Sequence, residues 1–150
     1  MKLSELLDED VILTHLESED KEEVFAELVE LLVRSGRISD REQALDAILT
    51  RESVATTGIG NGVAVPHGKS ASVPQLAAAL GLSTDGIDYD AADEAPVHVV
   101  FLILAEAGNP GPHVQCLGEI ARLLQVPGFC DRLRQATSAT DALAIIRAEE

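Results

Sequence analysis

The chain has 150 residues, a length suited to one domain with a single hydrophobic core. Its 26 acidic against 11 basic side chains give a formal charge of −15, which repels nucleic-acid backbones and anionic membrane surfaces and excludes nucleic acid as an expected partner. With 46% hydrophobic residues, 3% aromatics and no Trp, the core has to be built from Ala, Val, Leu and Ile, as in layered α/β proteins.

The N-terminus, MKLSELLDED, turns acidic before an apolar leader segment forms, and the longest apolar run, Val97 to Ala105, is too short to span a bilayer. A cytoplasmic chain that is not membrane-embedded is expected. Leu3 to Leu7 is expected as a short helix and Val11 to Leu13 as a strand. Asp20 to Ser35 carries Val24, Phe25, Leu28, Val29, Leu31 and Leu32 at helical spacing, and Gly36 ends that helix. Ser39 with Glu42 has the pattern of a capping box opening a second helix through Arg51, with Ala44, Leu45, Ile48 and Leu49 inward.

The segment Thr57 to Ser70, TGIGNGVAVPHGKS, follows at once. A glycine-spaced turn runs into a short strand, Val63 to Val65, and Pro66 is expected to stop the ladder so that His67 stands at a strand end. Leu76 to Ser83 and Val97 to Ala105 read as buried central strands, separated by a polar loop containing Gly86 and Asp88. Pro112 fits the first position of a helix whose buried side is marked by Val114, Leu117, Ile120, Ala121 and Leu124, with His113 in its first turn. Pro127 to Gln135 and Ser138 to Ala148, the latter capped by Ser138, read as the last two helices. The whole is expected to be one domain over residues 1–150, a three-layer α/β/α fold with a mixed central sheet flanked by helices.

His67, His113 and Arg51 are the candidate site. A strand end meeting a helix start gathers functional groups, and Arg51, closing the helix before the glycine turn, offers a bidentate fork to a phosphoryl group. Gly58, Gly60, Gly62 and Gly68, with Thr57, form a candidate phosphate-binding loop, since such glycines let consecutive N–H groups converge on an anion; a plain tight turn accounts for them equally well. A neutral imidazole near pH 7 is a competent nucleophile toward phosphorus, and neither metal nor cofactor is expected. Taken singly, His113 reads as a polar residue at a helix start and Arg51 as a cation near a helix C-terminus. Nucleotide binding remains an alternative through Gly68-Lys69-Ser70, although five residues separate Gly62 from Gly68 where a Walker loop has four. Zinc held by His67, His98 and His113 is a second alternative without supporting spacing. His98 otherwise reads as a partly buried, hydrogen-bonded ring and His15 as a surface residue. Cys116 and Cys130 read as reduced, semi-buried thiols.

RESVATTGIGNGVAVPHGKS resembles the active-site segment of the fructose-mannitol type of IIA protein in the bacterial phosphoenolpyruvate phosphotransferase system. PVHVVFLILAEAGNPGPHVQCLGEIARLL resembles that family's second half, and together the likeness spans nearly the whole chain. The resemblance implies that His67 accepts a phosphoryl group, through Nε2, from a histidine-containing phosphocarrier protein. It implies His113 as the assisting histidine and Arg51 as the family's arginine, with Glu52 and Thr57 beside it. Three departures bear on subfamily and partner: Val54-Ala55 replaces the usual Leu-Gly, Val114 stands where leucine is common, and His98 stands where an acidic residue is frequent. The downstream partner implied is a IIB domain of a permease for a sugar-specific member, or regulatory protein targets for a nitrogen-regulatory one. The length and the wording GIGNGVAVPHGK are more similar to the nitrogen-regulatory branch.

Overall fold

The computed structural model describes residues 1–150. Two short 3-10 turns, Leu3–Glu5 and Glu9–Val11, take the place of the expected first helix and lead into β1 (Ile12–Leu13). Helix α1 (Lys21–Arg34) opens with a capping box: Asp20 accepts from the Glu23 amide and Glu23 accepts from the Asp20 amide. Gly36 ends it at φ 79°, where the Arg37 amide reaches back to the Leu32 carbonyl at 3.0 Å.

Helix α2 (Arg41–Glu52) starts one residue later than the Ser39 signal indicates. Asp40 is the cap, accepting from the Gln43 amide at 3.0 Å, and its carboxylate suits the positive helix end better than a hydroxyl does. The buried side is Ala44 and Ile48; Leu45 is half-buried and Leu49 is exposed, so the expected inner face is rotated. Ala47 and Arg51, both half-buried, continue this side of the helix at spacings of three and four.

The sheet has six strands: β1, β2 (Gly58–Gly60), β3 (Val63–Ala64), β4 (His67–Ser70), β5 (Ala77–Ile87) and β6 (Val97–Glu106). The order is β1-β5-β6-β3-β2, with β4 on β6 beyond β3. β1 is parallel to β5, β5 antiparallel to β6, β3 and β4 parallel to β6, and β2 antiparallel to β3, which makes the sheet mixed. Pro66 does not stop the ladder. Val63 pairs with Val99 and His67 with Ile103, the same offset, so β3 and β4 form one strand interrupted in register. The Pro66 carbonyl still accepts from the Ile103 amide at 2.9 Å, because proline lacks only the donor. His67 therefore opens a strand rather than ending one.

β5 also runs further than expected, through Gly86 to Ile87. A register shift between Leu82 and Ile87 absorbs the polar residues as a bulge, with Gly86 at φ 93°. Helix α3 (Pro110–Leu124) takes Pro110, not Pro112, as its first residue, and buries His113, Cys116, Ile120 and Leu123. Val114 and Ala121 are exposed instead, so the inner face is rotated from the expected stripe. Helix α4 (Phe129–Arg134) is shorter than expected, and α5 (Ala139–Ala148) is capped by Ser138, which accepts from Asp141.

Helices α1 and α2 cover one face: Gly81 lies under Leu28 of α1 and Gly68 under Ala47 of α2. Helices α3 to α5 cover the other, completing the three layers. No helix is long and apolar enough to cross a membrane.

Helix α2 lies close against the sheet at Gly68, where an added Cβ would stand 2.7 Å from the Ala47 carbonyl carbon. Gly68→Ala is expected to push α2 off β4 and to lower stability by about 1–3 kcal/mol in urea unfolding. An unchanged midpoint would contradict the role given to this glycine.

Candidate active site

Two residues on one strand make the centre of the site. Side chains alternate along β4, so His67 and Lys69 point to the α3 side while Gly68 lies against α2. In the extended residue Val65 the N–H and C=O share one edge; the N–H donates to the Thr57 carbonyl at 3.0 Å. Its carbonyl accepts from His67 Nδ1 at 2.8 Å. A carbonyl has no proton to give, so Nδ1 carries the hydrogen and the neutral ring keeps its lone pair on Nε2.

His113 packs edge-on to His67, with ring centroids 5.3 Å apart and planes at 64°. Its side chain is 5% exposed, and Nε2 is buried without a hydrogen-bond partner. Burial, followed by the charges of His67 and Lys69, holds its pKa below the ordinary histidine value, so the neutral ring is favoured. Arg51, near the C-terminal end of α2, donates to the Ala55 carbonyl at 3.0 Å and borders both cavities that reach His67.

The larger cavity, about 690 Å³, is polar: Gln43, Asp46, Thr50, Arg51, His67, Lys69 and His113 face it. The smaller, about 230 Å³, lies between Ile59, Leu117, Ala121 and Leu124, with His67 and Arg51 at its edge. An imidazole with a bare nitrogen, a second ring nitrogen without a partner, a guanidinium and an ammonium thus border one space. That set suits a tetrahedral anion bonded to nitrogen.

The structure brings His67, His113, Arg51 and Gly68 together. The other glycines of the candidate loop go elsewhere: Gly58 lies under Ala91 and Tyr89, Gly60 turns at φ 96° beside Asp93, and Gly62 at φ 79° beside His98 and Pro96. They build the β2–β3 hairpin. Thr57 is 4% exposed, and its hydroxyl lies 2.6 Å from Glu52 Oε2 and 2.7 Å from the Tyr89 hydroxyl. Gly68-Lys69-Ser70, the nucleotide alternative, is strand rather than phosphate loop.

His98 Nδ1 donates to the Ser83 carbonyl at 2.9 Å, and the ring borders a separate cavity with Asp131 and Arg134. The His67, His98 and His113 zinc arrangement is not assembled. His15 is exposed, Cys130 is half-buried, and burial pushes the fully enclosed Cys116 thiol up to about 11.

Lys69 entered the sequence reading only through the nucleotide alternative, and Lys21 and Tyr89 were not singled out. Period-two alternation from His67 points to Lys69. Nothing local in the sequence marks Lys21 or Tyr89, which arrive from α1 and from the loop after β5.

Residues 5–149 match the family model described as phosphoenolpyruvate-dependent sugar phosphotransferase system, EIIA 2. The chain is 41% identical over 146 residues to the fructose-specific EIIABC component of Bacillus subtilis, an alignment covering 97% of this chain and 23% of that one; the chain spans less than a quarter of that relative's length. It is 40% identical over 118 residues to the fructose-specific EIIA component of Haloferax volcanii, covering 79% of this chain and 77% of the relative. Among solved structures, the nitrogen regulatory protein IIA-Ntr from Neisseria meningitidis is similar with a TM-score of 0.88 and 28% identity, covering 96% of this chain and 98% of that one.

In an NMR titration the His113 midpoint is expected below 6.5, and Lys69→Gln is expected to raise it. The unfolded chain then takes up this proton first as pH falls. Stability tied to neutral His113 is complete above pH of about 6.5 and is lost as pH drops through the folded value. A midpoint at or above 6.5 would contradict the buried, neutral ring.

Proposed function

This chain belongs to the EIIA 2 family of the phosphoenolpyruvate-dependent sugar phosphotransferase system, and on that premise we propose that it is a phosphoryl carrier whose His67 takes the phosphoryl group on Nε2. The observation that supports the atom is the Nδ1–H bond to Val65 at 2.8 Å, which leaves Nε2 bare. The donor is a histidine-containing phosphocarrier protein. Residues 1–150 act as one EIIA type-2 domain.

The Nε2 lone pair attacks phosphorus, an N–P bond forms as the donor's N–P bond breaks, and the donor nitrogen recovers its electron pair. Nε2 loses no proton, because it carries none. The positive charge that grows on the His67 ring is shared with the Val65 carbonyl through Nδ1–H. Charge on the equatorial oxygens is met by Arg51, by Lys69 and by an Nε2–H of His113, whose lack of any protein partner supports a donor held for the phosphoryl group. No bond to the protein has to break before that donor is used.

Identities of 41% and 40% to fructose-specific components support a IIB unit as the next acceptor. The TM-score of 0.88 to a nitrogen regulatory protein supports a second reading, in which the phospho-state of His67 controls binding to regulatory targets. Phosphorylation adds about −1.5 to −2 charges, enough to change an interface.

Intact mass after incubation with phosphoenolpyruvate, enzyme I and the phosphocarrier is expected to rise by one acid-labile phosphoryl group, and not to rise in His67→Ala. Acceptance that survives this substitution would overturn the assignment. His113→Ala is expected to slow transfer by about 10²-fold in a protein that still folds, with a lowered unfolding midpoint from the packing it removes. Transfer onward to a fructose-type IIB unit, against partner lists that differ between phosphorylated and unphosphorylated protein, separates the two readings.

A further inference from the structure

Beneath the site, four side chains from four separate segments meet, three of them nearly enclosed and Lys21 with its side chain 21% exposed. Lys21 opens α1, Glu52 closes α2, Thr57 precedes β2, and Tyr89 comes from the loop after β5. Glu52 Oε1 accepts from the Thr57 amide at 2.9 Å and from Lys21 Nζ at 2.9 Å, while Oε2 accepts from the Thr57 hydroxyl at 2.6 Å. The Tyr89 hydroxyl is 2.7 Å from Thr57 Oγ1, and Lys21 Nζ stands 4.9 Å above the Tyr89 ring. Tyr89 is 1% exposed and the Glu52 side chain 6%.

The direction of the bonds follows from the inventory. Burial alone would push the Glu52 carboxyl up, but the Thr57 hydroxyl and amide and the Lys21 ammonium outweigh it and hold the group ionised. An ionised carboxylate only accepts, so Thr57 spends its one proton on Glu52 and must accept from Tyr89. The Thr57 proton is thereby used, and the hydroxyl has no donor to offer a phosphoryl group.

What the cluster does hold is the Thr57 backbone. Thr57 O accepts from Val65 N at 3.0 Å, and Val65 O accepts from His67 Nδ1 at 2.8 Å. We propose that Lys21, Glu52, Thr57 and Tyr89 are positioning residues for His67: by fixing Thr57 they fix the Val65 carbonyl, and that carbonyl keeps the proton on Nδ1 and the nucleophilic lone pair on Nε2. Neighbouring Glu52, the same cluster anchors the end of α2 that carries Arg51. The inference rests on His67 as the acceptor, yet its first readout does not need phosphate.

The test is 15N NMR of the His67 ring in unphosphorylated protein, paired with phosphoryl-transfer kinetics. Wild type is expected to show a protonated Nδ1 and a bare Nε2. Thr57→Val keeps the shape and deletes the hydroxyl; a population with Nε2–H is expected to appear, with kcat for transfer reduced about 10–100-fold and KM for the phosphocarrier little changed. Thr57→Ser is expected to restore both. If Thr57→Val does not fold, Tyr89→Phe retains the Glu52–Thr57 bonds and removes only the outer link, with a smaller shift in the same direction. A wild-type ring spectrum in whichever variant folds, or a slower reaction with the tautomer unchanged, overturns the proposal. Failure of the wild type to accept phosphate would remove the carrier reading and leave the spectrum to decide this one.

Discussion

One backbone carbonyl governs the chemistry available at the centre of this molecule. Where β2 runs out, Val65 keeps a strand partner for its N–H but none for its C=O, and His67, two residues on, fills the gap through Nδ1. Pro66, between the two, faces β6 instead. Its missing N–H breaks the ladder for one bond, while its carbonyl and the constant offset to β6 keep His67 in register. A residue that slipped by one place would turn His67 toward α2 and away from His113.

The electrostatics follow from how few cations the site has. In a chain of formal charge −15, Arg51 and Lys69 border the polar cavity beside the two imidazoles, with Asp46 as the acidic residue at its wall. Burial first, and the charges of His67 and Lys69 second, hold the His113 pKa below the ordinary histidine value and favour its neutral ring. A neutral ring is the cheaper group to enclose without a partner, since an unpaired buried charge is far more costly than an unpaired N–H. The arrangement thus encloses His113 Nε2 without a protein partner and without burying an imidazolium.

Much of this was legible in sequence because it depends on local signals. The α/β/α layering, the run Val97 to Glu106 as a central strand and the pairing of His67 with His113 and Arg51 all come from periodicity, breakers and the two quoted motif segments. What was not legible depends on partners distant in sequence. Gly58, Gly60 and Gly62 read equally well as an anion nest or a turn until Ala91, Tyr89, Asp93 and Pro96 are seen packed against them. Asp40 outbids Ser39 as a cap by charge, a difference of one residue that pattern alone does not resolve. Tyr89 carries no local mark of its partnership with Thr57, 32 residues earlier.

Helix α3 shows why hydrophobic spacing misleads beside a site. Of the expected stripe, Ile120 is buried, Leu117 and Leu124 are half-buried against the core, and Val114 and Ala121 are exposed; the fully buried row is the one that contains His113. A stripe with a histidine in it scores as the polar side, although this ring is more deeply enclosed than Val114, which is 66% exposed. Val54 and Ile59 are exposed around the same site, at 79% and 56%. Large aliphatic side chains left at the surface in one neighbourhood are an energetic liability for an isolated chain. They are also surface that sheds water readily on contact, as the proposed passage of a phosphoryl group between two nitrogens requires. The core rule and the chemistry thus divide the two faces of one helix between them.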